Sequence, residues 1–429
     1  MATLMRASNP DHKKANVVLH VSSLPFYTVS MQKKAGMPSL TKLVKEFVRR
    51  GWKVIFIYPE NKHVEAFQEE GIEFYPLYLP RFSKGNSFFG MIVERTWSRI
   101  TFFVLILSLY LKTSLLIKDF RPTLLYAHGT QAIIASGLLR RNHGVPLVAR
   151  FYGFTHPGYL LGKNIFPRGS LISKLGDVLA LKSETDLIIV TSDGTYGNEV
   201  VDRWGVAKKT LVLRNGVDSP ERLSISRIFS LKTILGIEQG KPIITFTGRL
   251  ESWKRPDRII EVARLANQRG FSYLFVLIGD GDDRLLLEQR VRSYGIEEMV
   301  KFIGPVSHEE IWDYLRCSDI FLSLHDLTSL TNTLFEALAI GLPIVCSHNG
   351  DGIEELVIDG LSGKLVENPD DANEVITKIQ AALEIPHEVV LSAVHLDNWE
   401  ERFDIEFEKI ADVLSKKVDQ VGFFNSPQG

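Results

Sequence analysis

The sequence predicts an α/β protein built from two doubly wound parallel-sheet domains in tandem, with helices alone at its end. Three observations carry that expectation. Short runs rich in Val, Ile, Leu and Phe alternate with helix-patterned stretches, the arrangement of parallel strands covered by helices. The alternation is renewed in the second half of the chain. And 429 residues exceed what one hydrophobic core usually supports.

In the first half the expected strands are NVVLHVS (16–22), KVIFIYP (53–59), TLLYAH (123–128), PLVARFY (146–152) and LIIVTS (187–192). Between the first two, Leu40, Leu43, Val44, Phe47 and Val48 fall at helical spacing, and Gly51 closes that helix. The second half offers TLVLRN (210–215), PIITFTG (242–248), YLFVLIG (273–279), VKFIG (300–304), IFLSL (320–324) and PIVCS (343–347). Helices are expected at 257–269, 284–294, 308–317, 334–340 and 351–359, and only helices after Asp370. The strand at 210–215 is expected to open the second domain. The first domain then holds residues 1–208, completed by helices near 400–420, and the second holds 209–399. Ligands of doubly wound sheets bind beyond the carboxyl ends of the strands. Loops there, facing a cleft between two lobes, are where chemistry is expected.

Composition narrows the class. The chain is 45% hydrophobic and 24% charged, without a low-complexity tract. A net charge of −1 provides no polyelectrolyte field, so nucleic acid is not an expected partner. The two cysteines, Cys317 and Cys346, lie in segments expected to be buried, which suits a reducing compartment. No CxxC or Cys/His spacing suggests a metal, and no apolar core of signal-peptide length precedes the first strand. A cytoplasmic location is therefore expected. One segment, FFVLILSLYL (102–111), is bounded by Arg99 and Lys112. Its uncharged run is about twelve residues, short of the roughly 20 that span a bilayer. It suits a buried helix, or a helix resting on the inner face of the cell membrane. The preceding segment favours the second reading by interleaving Arg81, Lys84, Arg95 and Arg99 with Phe82, Phe88, Phe89 and Trp97.

Candidate chemistry concentrates between Phe246 and Gly341. An apolar run ends in Thr247-Gly248-Arg249, with Lys254 five residues past the arginine and a helix after it. Gly248 lets the backbone approach a ligand, Arg249 offers a bidentate fork and Lys254 a mobile point charge. Further on, the polar cluster Thr328 to Thr333 leads into an otherwise apolar helix that carries Glu336 in its first turn. A helix N-terminus favours an anion, and a buried glutamate needs donors. Together these features suit a nucleoside diphosphate, with phosphates on the cations and helix amides and ribose hydroxyls on the glutamate. The glycine loop Ile278 to Asp283 fails as a dinucleotide fingerprint, because no third glycine follows at the right offset and three aspartates would repel a pyrophosphate. It is expected to shape the cleft instead. Arg214 to Asp218 suits a turn at the domain boundary. Gly36, before the first helix, is placed to face the diphosphate. His128 and Tyr152 end strands of the first domain and suit the acceptor side, although a satisfied core histidine fits His128 equally well.

Taken together, these motifs resemble the retaining glycosyltransferases of family 4, which have the GT-B fold. The resemblance rests on NGVD (215–218), TGRLESWK (247–254), IGDGDDR (278–284), FIGPVSHEEIWDYLRCSDIFLSL (302–324), FEALAIGLPIV (335–345) and DGIEELVIDGLSGKLV (351–366) in the family's order. RRGWKV (49–54), LLYAHG (124–129) and TDLIIVTS (185–192) match more loosely, and NWEERFDIEFEKI (398–410) resembles the closing helices that cross back to the first lobe. The resemblance implies that Arg249 and Lys254 bind the donor diphosphate, that Glu336 holds the ribose, and that the amides around Thr333 and Leu334 join the phosphate site. Backbone from Gly304 to Val306 would meet the base, and Gly36 the phosphates. Asn215, Gly248, Gly279 and Asn332 complete the donor-side set. No cofactor or metal is implied, the nucleotide-sugar being a substrate.

The chain departs from the family in two places. Where a first glutamate usually precedes Glu336 by seven intervening residues stands Thr328, with Asp326 two residues earlier. Where the family often has a histidine before the glycine of the fourth strand stands Tyr152, before Gly153. The implied reaction moves a sugar to an acceptor hydroxyl with retention, the leaving phosphate taking the acceptor's proton. A glycan or lipid-linked acceptor is expected. The alternatives are a nucleotide-sugar epimerase on the same fold and an inactive GT-B-like subunit that binds a partner. Two-acid glycoside hydrolysis is disfavoured, since no carboxylate pair stands beside the phosphate site.

Overall fold

The structure, a computed structural model, describes residues 16–24, 38–60, 71–78, 88–154, 156–162, 171–218, 233, 240–327, 330–350 and 352–424, with backbone alone at 38, 88–99 and 418–424. Gly36, Thr328 and the 81–87 segment lie outside the described residues.

Seven strands form the first sheet: β1 (Val17–Ser22), β2 (Lys53–Glu60), β3 (Ile72–Tyr78), β4 (Leu124–His128), β5 (Leu147–Phe151), β6 (Leu187–Thr191) and β7 (Thr210–Leu213), in the order β3-β2-β1-β4-β5-β6-β7. Six form the second: β8 (Ile243–Thr247), β9 (Leu274–Ile278), β10 (Val300–Gly304), β11 (Ile320–Ser323), β12 (Ile344–Ser347) and β13 (Gly363–Val366), in the order β10-β9-β8-β11-β12-β13. Each order steps outward from the sheet's first strand, then reverses and runs the other way, which is the doubly wound pattern. The helices between and after them are α1 (Pro38–Arg49), α2 (Phe88–Phe120), α3 (Thr130–His143), α4 (Pro157–Leu161), α5 (Leu171–Leu181), α6 (Gly197–Arg203), α7 (Pro256–Gln268), α8 (Arg284–Tyr294), α9 (His308–Cys317), α10 (Asn332–Ala339), α11 (Ala372–Leu383), α12 (His387–Ala393) and α13 (Trp399–Phe424). By contacts the chain divides into two compact units. One is made of Met1–Phe26, Leu40–Ala149 and Ser183–Asp186, the other of Tyr27–Ser39, Arg150–Lys182 and Leu187–Gly429.

The second sheet has a core on each face. Phe246, Leu322 and Val345 pack with Ile259, Ala263, Val291 and Ile379 of α7, α8 and α11. Phe321, Ile344 and Cys346 pack with Leu315, Leu334, Leu338 and Val390 of α9, α10 and α12. Burial on both faces explains why these strands read as continuous apolar runs. The C-terminal helix α13 crosses back: it packs on β6, and Glu406 pairs with Arg150 of β5 at 2.8 Å. Gly216 makes the crossing possible, because a Cβ there would collide with the backbone at Trp399, and the adjacent Val217 bridges Asn398.

Three expectations are corrected. The strand at 210–215 does not open the second sheet; β7 pairs in parallel with β6, Ile188 opposite Thr210 and Thr191 opposite Leu213. Sequence order does not say which sheet a strand joins. The helix expected at 351–359 is only a 3-10 turn, Ile353–Glu355, because the Ile358 amide donates to Ser362 Oγ at 2.8 Å instead of continuing the ladder. The segment 102–111 is not a short buried helix but the middle of α2, 33 residues long, which packs on α3, β1 and β2. Leu105, Leu109, Thr113, Leu116 and Ile117 are its buried face. Ile100, Phe103, Val104, Leu107, Leu111 and Leu115 recur at three- and four-residue spacing and stand 39–58% exposed.

Candidate active site

The loops that leave the carboxyl ends of β8, β9, β10 and β11 lie side by side, because those strands are neighbours in one parallel sheet. After β8 the chain runs Gly248-Arg249-Leu250-Glu251 into a short 3-10 turn, Ser252–Lys254, and then α7. Gly248 has φ 152°, and its amide donates to the Ile278 carbonyl at 3.0 Å. The next glycine loop braces this one. A Cβ on Gly279 would collide with the Gly248 carbonyl oxygen, and one on Gly281 with that of Leu250. The Leu250 amide donates to the Asp280 carbonyl and the Asp283 amide to the Leu250 carbonyl, both at 3.0 Å. The structure thus gives Gly279 the task of letting two backbones touch.

Two cations share one aromatic ring on this loop. Lys254 Nζ lies 4.4 Å from the Trp253 ring centroid and the Arg249 guanidinium 5.9 Å from it. Glu251 fixes the ring and one cation, accepting from Trp253 Nε1 at 2.7 Å and forming an ion pair with Arg249, whose Nη1 lies 3.0 Å from Oε1. Arg249 is 69% exposed, while Lys254 is tucked in, its Nζ 3.3 Å from Nδ1 of the buried His325. Burial, and then the charge of Arg249, push the Lys254 ammonium down to about 8, against the opposite pull of Asp193 and Glu251. An incoming anion would relieve both effects.

Helix α10 begins two residues earlier than the sequence suggested. Thr331 caps it, its Oγ1 accepting from the Leu334 amide at 3.2 Å, so that amide is already engaged. Asn332 and Thr333 are the first two helical residues. Asn215 Nδ2 donates to Asn332 Oδ1 at 2.8 Å. Glu336 is 5% exposed, and His308 Nε2 lies 2.7 Å from its Oε1. Among the described residues no group reaches the buried Glu336 Oε2 or the buried Asn215 Oδ1. Two buried acceptors without donors, both near the first turn of α10, suit a ligand that brings hydroxyl groups. Gly304, at φ 88°, receives the Gly279 amide at 2.9 Å, and the half-buried Val306 packs against the cluster of Ile243, Leu274, Val276 and Ile278.

Asp326 has a different set of partners. It pairs with Arg258 at 2.7 Å and Arg255 at 3.2 Å, and both arginines also hold Asp370. Hydrogen bonds from Arg258, then its charge and that of Arg255, hold the Asp370 carboxyl down at about 2. This network ties the loop after β11 to α7 and occupies Asp326, the carboxylate two residues before Thr328.

In the first sheet, His128 is fully buried. Its Nε2 lies 2.8 Å from His20 Nδ1, and its ring stacks with those of His20, Phe56 and Tyr126. Of the two roles open for His128, this environment is that of a core histidine. Tyr152, on the loop after β5, lies 5.1 Å from the Arg150 guanidinium, and burial raises its hydroxyl well above the ordinary tyrosine range. Its neighbour Gly153 must be glycine: φ is 83°, and a Cβ would collide with the Asp193 carboxylate.

Sequence reasoning missed His308, His325, Trp253 and Glu251. His325 lies two residues past β11's carboxyl end and was open to the strand-end rule. Trp253 and Glu251 sit inside the quoted TGRLESWK. Nothing in the spacing links His308 to Glu336, since two separate helices bring them together. Among the described residues, His395, Asp397 and Glu401 could converge on a cation, but all three are exposed.

Comparison with known proteins bears on this arrangement. The family model "Glycosyltransferase Family 4" matches residues 39–220, and "Glycosyl transferases group 1" matches residues 228–393. The amylovoran biosynthesis glycosyltransferase AmsK of Erwinia amylovora is 31% identical over 215 residues, 49% of this chain and 50% of that protein. A D-inositol 3-phosphate glycosyltransferase of Geodermatophilus obscurus is 26% identical over 249 residues, 55% of this chain and 54% of that one. The chain thus spans about half the length of these curated relatives. The crystal structure of HepE from Anabaena, solved with UDP, superposes with a TM-score of 0.65 at 18% identity, over 94% of this chain and 100% of that one. With one family model over each half, and two doubly wound sheets superposing on a solved structure of like architecture, the chain belongs to the family 4 glycosyltransferases of GT-B fold.

Proposed function

We propose that the chain is a retaining glycosyltransferase of hexosyl type that moves a sugar from a nucleoside diphosphate-sugar to an acceptor hydroxyl. One observation carries this reading. A depressed, half-buried lysine and an exposed arginine stand on the loop after β8, and a carboxylate with one unpartnered buried oxygen stands on the helix that follows the neighbouring strand β11. The cations match a diphosphate and the carboxylate a ribose hydroxyl. Preorganised positive charge stabilises the leaving diphosphate as the glycosidic bond breaks, and this is usually the largest catalytic contribution. The leaving phosphate takes the acceptor's proton on the same face, so neither a separate base nor a metal is required. That HepE was solved with UDP and with UDP-glucose supports the donor class.

The acceptor side is proposed to be the first sheet, β7 included, with its helices and α13, and the donor side the second sheet with its helices. AmsK's role in amylovoran biosynthesis supports an acceptor in surface polysaccharide or glycolipid synthesis. The exposed apolar stripe of α2 supports peripheral contact with the inner face of the cell membrane. Within α2, Ile100–Phe120 is also long and apolar enough to cross a membrane by length and composition. Its buried face against α3 and the sheet favours a helix that lies on the surface instead.

The test is a melting-curve panel of UDP, GDP, ADP and their common sugar conjugates, with and without a chelator. One responder is expected, shifted by several degrees when present at about 100 times its dissociation constant and unaffected by chelation. A folded protein that responds to none would end the donor reading. Conversion of a responding donor without any acceptor would replace transfer by epimerisation.

A further inference from the structure

We infer that His308 is a positioning residue that fixes Glu336 so that a single carboxylate oxygen, Oε2, is presented to a ribose hydroxyl; the inference rests on reading Glu336 as the ribose acceptor. His308 is the first residue of α9, and a capping box holds it there. The Ser307 amide donates to Glu310 Oε2 at 2.8 Å, and Ser307 Oγ accepts from the Glu310 amide at 3.3 Å. The imidazole is thus anchored on a rigid first turn and partly exposed, while Glu336 is almost wholly covered. Glu336 sits in an apolar helix whose Leu334, Phe335, Ala337 and Leu338 are buried. Among the described residues His308 is its one partner, Nε2 lying 2.7 Å from Oε1.

A buried carboxylate with one donor has two consequences. The hydrogen bond removes the carboxylate's freedom to rotate, so a ligand need not supply that ordering. It also occupies Oε1, leaving Oε2 as the acceptor for one hydroxyl rather than for a pair. The contact with the ribose is remote from the breaking bond and the same before and during reaction. Losing it therefore weakens binding of donor and transition state alike, raising KM and leaving kcat nearly unchanged. A purely structural role for His308 would produce no such split and no dependence on the sugar hydroxyls of the nucleotide.

The experiment uses wild type, His308→Ala and His308→Gln, the last because a glutamine amide places its N–H near the position of Nε2. Titrations use the nucleoside diphosphate that binds, from UDP, GDP and ADP, with its 2′-deoxy and 3′-deoxy forms, and KM and kcat are measured with the sugar conjugate. For His308→Ala the Kd and KM are expected to rise about 10-fold, the loss of one charge-assisted hydrogen bond. Its kcat should stay within about twofold. His308→Gln should recover most of the affinity. Wild type should lose affinity for one deoxy form, and His308→Ala should lose distinctly less. Melting curves check that each variant is folded. Unchanged affinity in His308→Ala, a fall in kcat without a rise in KM, or a folded His308→Gln as weak as His308→Ala would each overturn the inference while leaving the donor reading standing. A wild type that binds no nucleoside diphosphate would overturn both.

Discussion

Burial and the adjacent Arg249 hold the Lys254 ammonium at about 8, although Asp193 and Glu251 pull it upward. Below pH 8 the group carries the charge that meets a diphosphate; above it that charge is lost. The Kd of the responding nucleotide should therefore rise as the pH passes 8, with a shallower rise in Lys254→Ala. Stability runs the other way. The folded value lies below the ordinary lysine value of 10.5, so between the two the folded chain holds fewer protons than the unfolded one. The charge thus costs stability below pH 8, and the cost is relieved as pH climbs towards 10.5. Lys254→Met is expected to shift the urea midpoint upward at pH 7, and the gain should shrink towards pH 10. The same substitution site should also govern rate. Lys254→Ala and Arg249→Ala should each slow transfer on the order of 10²- to 10³-fold with the fold intact. Falls of less than about threefold in both would remove these residues from the mechanism.

Helix α2 carries the next prediction. It buries one face against α3 and the sheet and leaves six large apolar side chains, from Ile100 to Leu115, in solvent. A stripe of that length on one helix face is the form an interfacial membrane helix takes. Vesicles containing anionic lipid should carry the protein upward in a density gradient. Phe103→Asp and Leu107→Asp should abolish flotation without altering the nucleotide-induced melting shift. Flotation of neither wild type nor variants, even at low salt, would remove the membrane from the proposal. The sequence alone suits this segment to either the core or a surface, because its midsection shows apolar residues on every side and periodicity alone cannot divide them. Strands were more legible. Central ones such as β8, β9 and β11 are buried on both faces and read as continuous apolar runs. The two that escaped notice, β3 and β13, are edge strands. β3 carries Glu73 and Pro76 on a half-buried ribbon, and β13 opens on Gly363 and Lys364, which break an apolar run.

Across the whole molecule, the site was legible wherever one loop carried the chemistry and obscure wherever two elements met. Arg249 and Lys254 stand on one loop within six residues; His308 reaches Glu336 only because α9 and α10 pack on the same face of the second sheet. The largest such meeting is the return of α13. Arg150 of β5, Arg402 and Glu406 are all but fully buried, and both guanidinium groups bind the same carboxylate oxygen, Glu406 Oε2. Arg150 also reaches Thr191 Oγ1 of β6 at 3.4 Å. Two cations sharing one anion make the three members unequal. Removing Glu406 takes from both guanidinium groups the carboxylate they share, whereas removing Arg402 leaves Arg150 still paired with it. Glu406→Ala should therefore cost on the order of 3–5 kcal/mol, the penalty of breaking a buried ion pair by removing one partner. Arg402→Met, which keeps the aliphatic bulk, should cost distinctly less, and Arg402→Met should soften the loss when combined with Glu406→Ala. Chemical denaturation of the four proteins at pH 7 decides it. If Glu406→Ala proves no more harmful than Arg402→Met, the carboxylate is not what fastens the C-terminal helix to the first sheet, and packing of Trp399, Phe403 and Phe407 would have to carry that attachment instead.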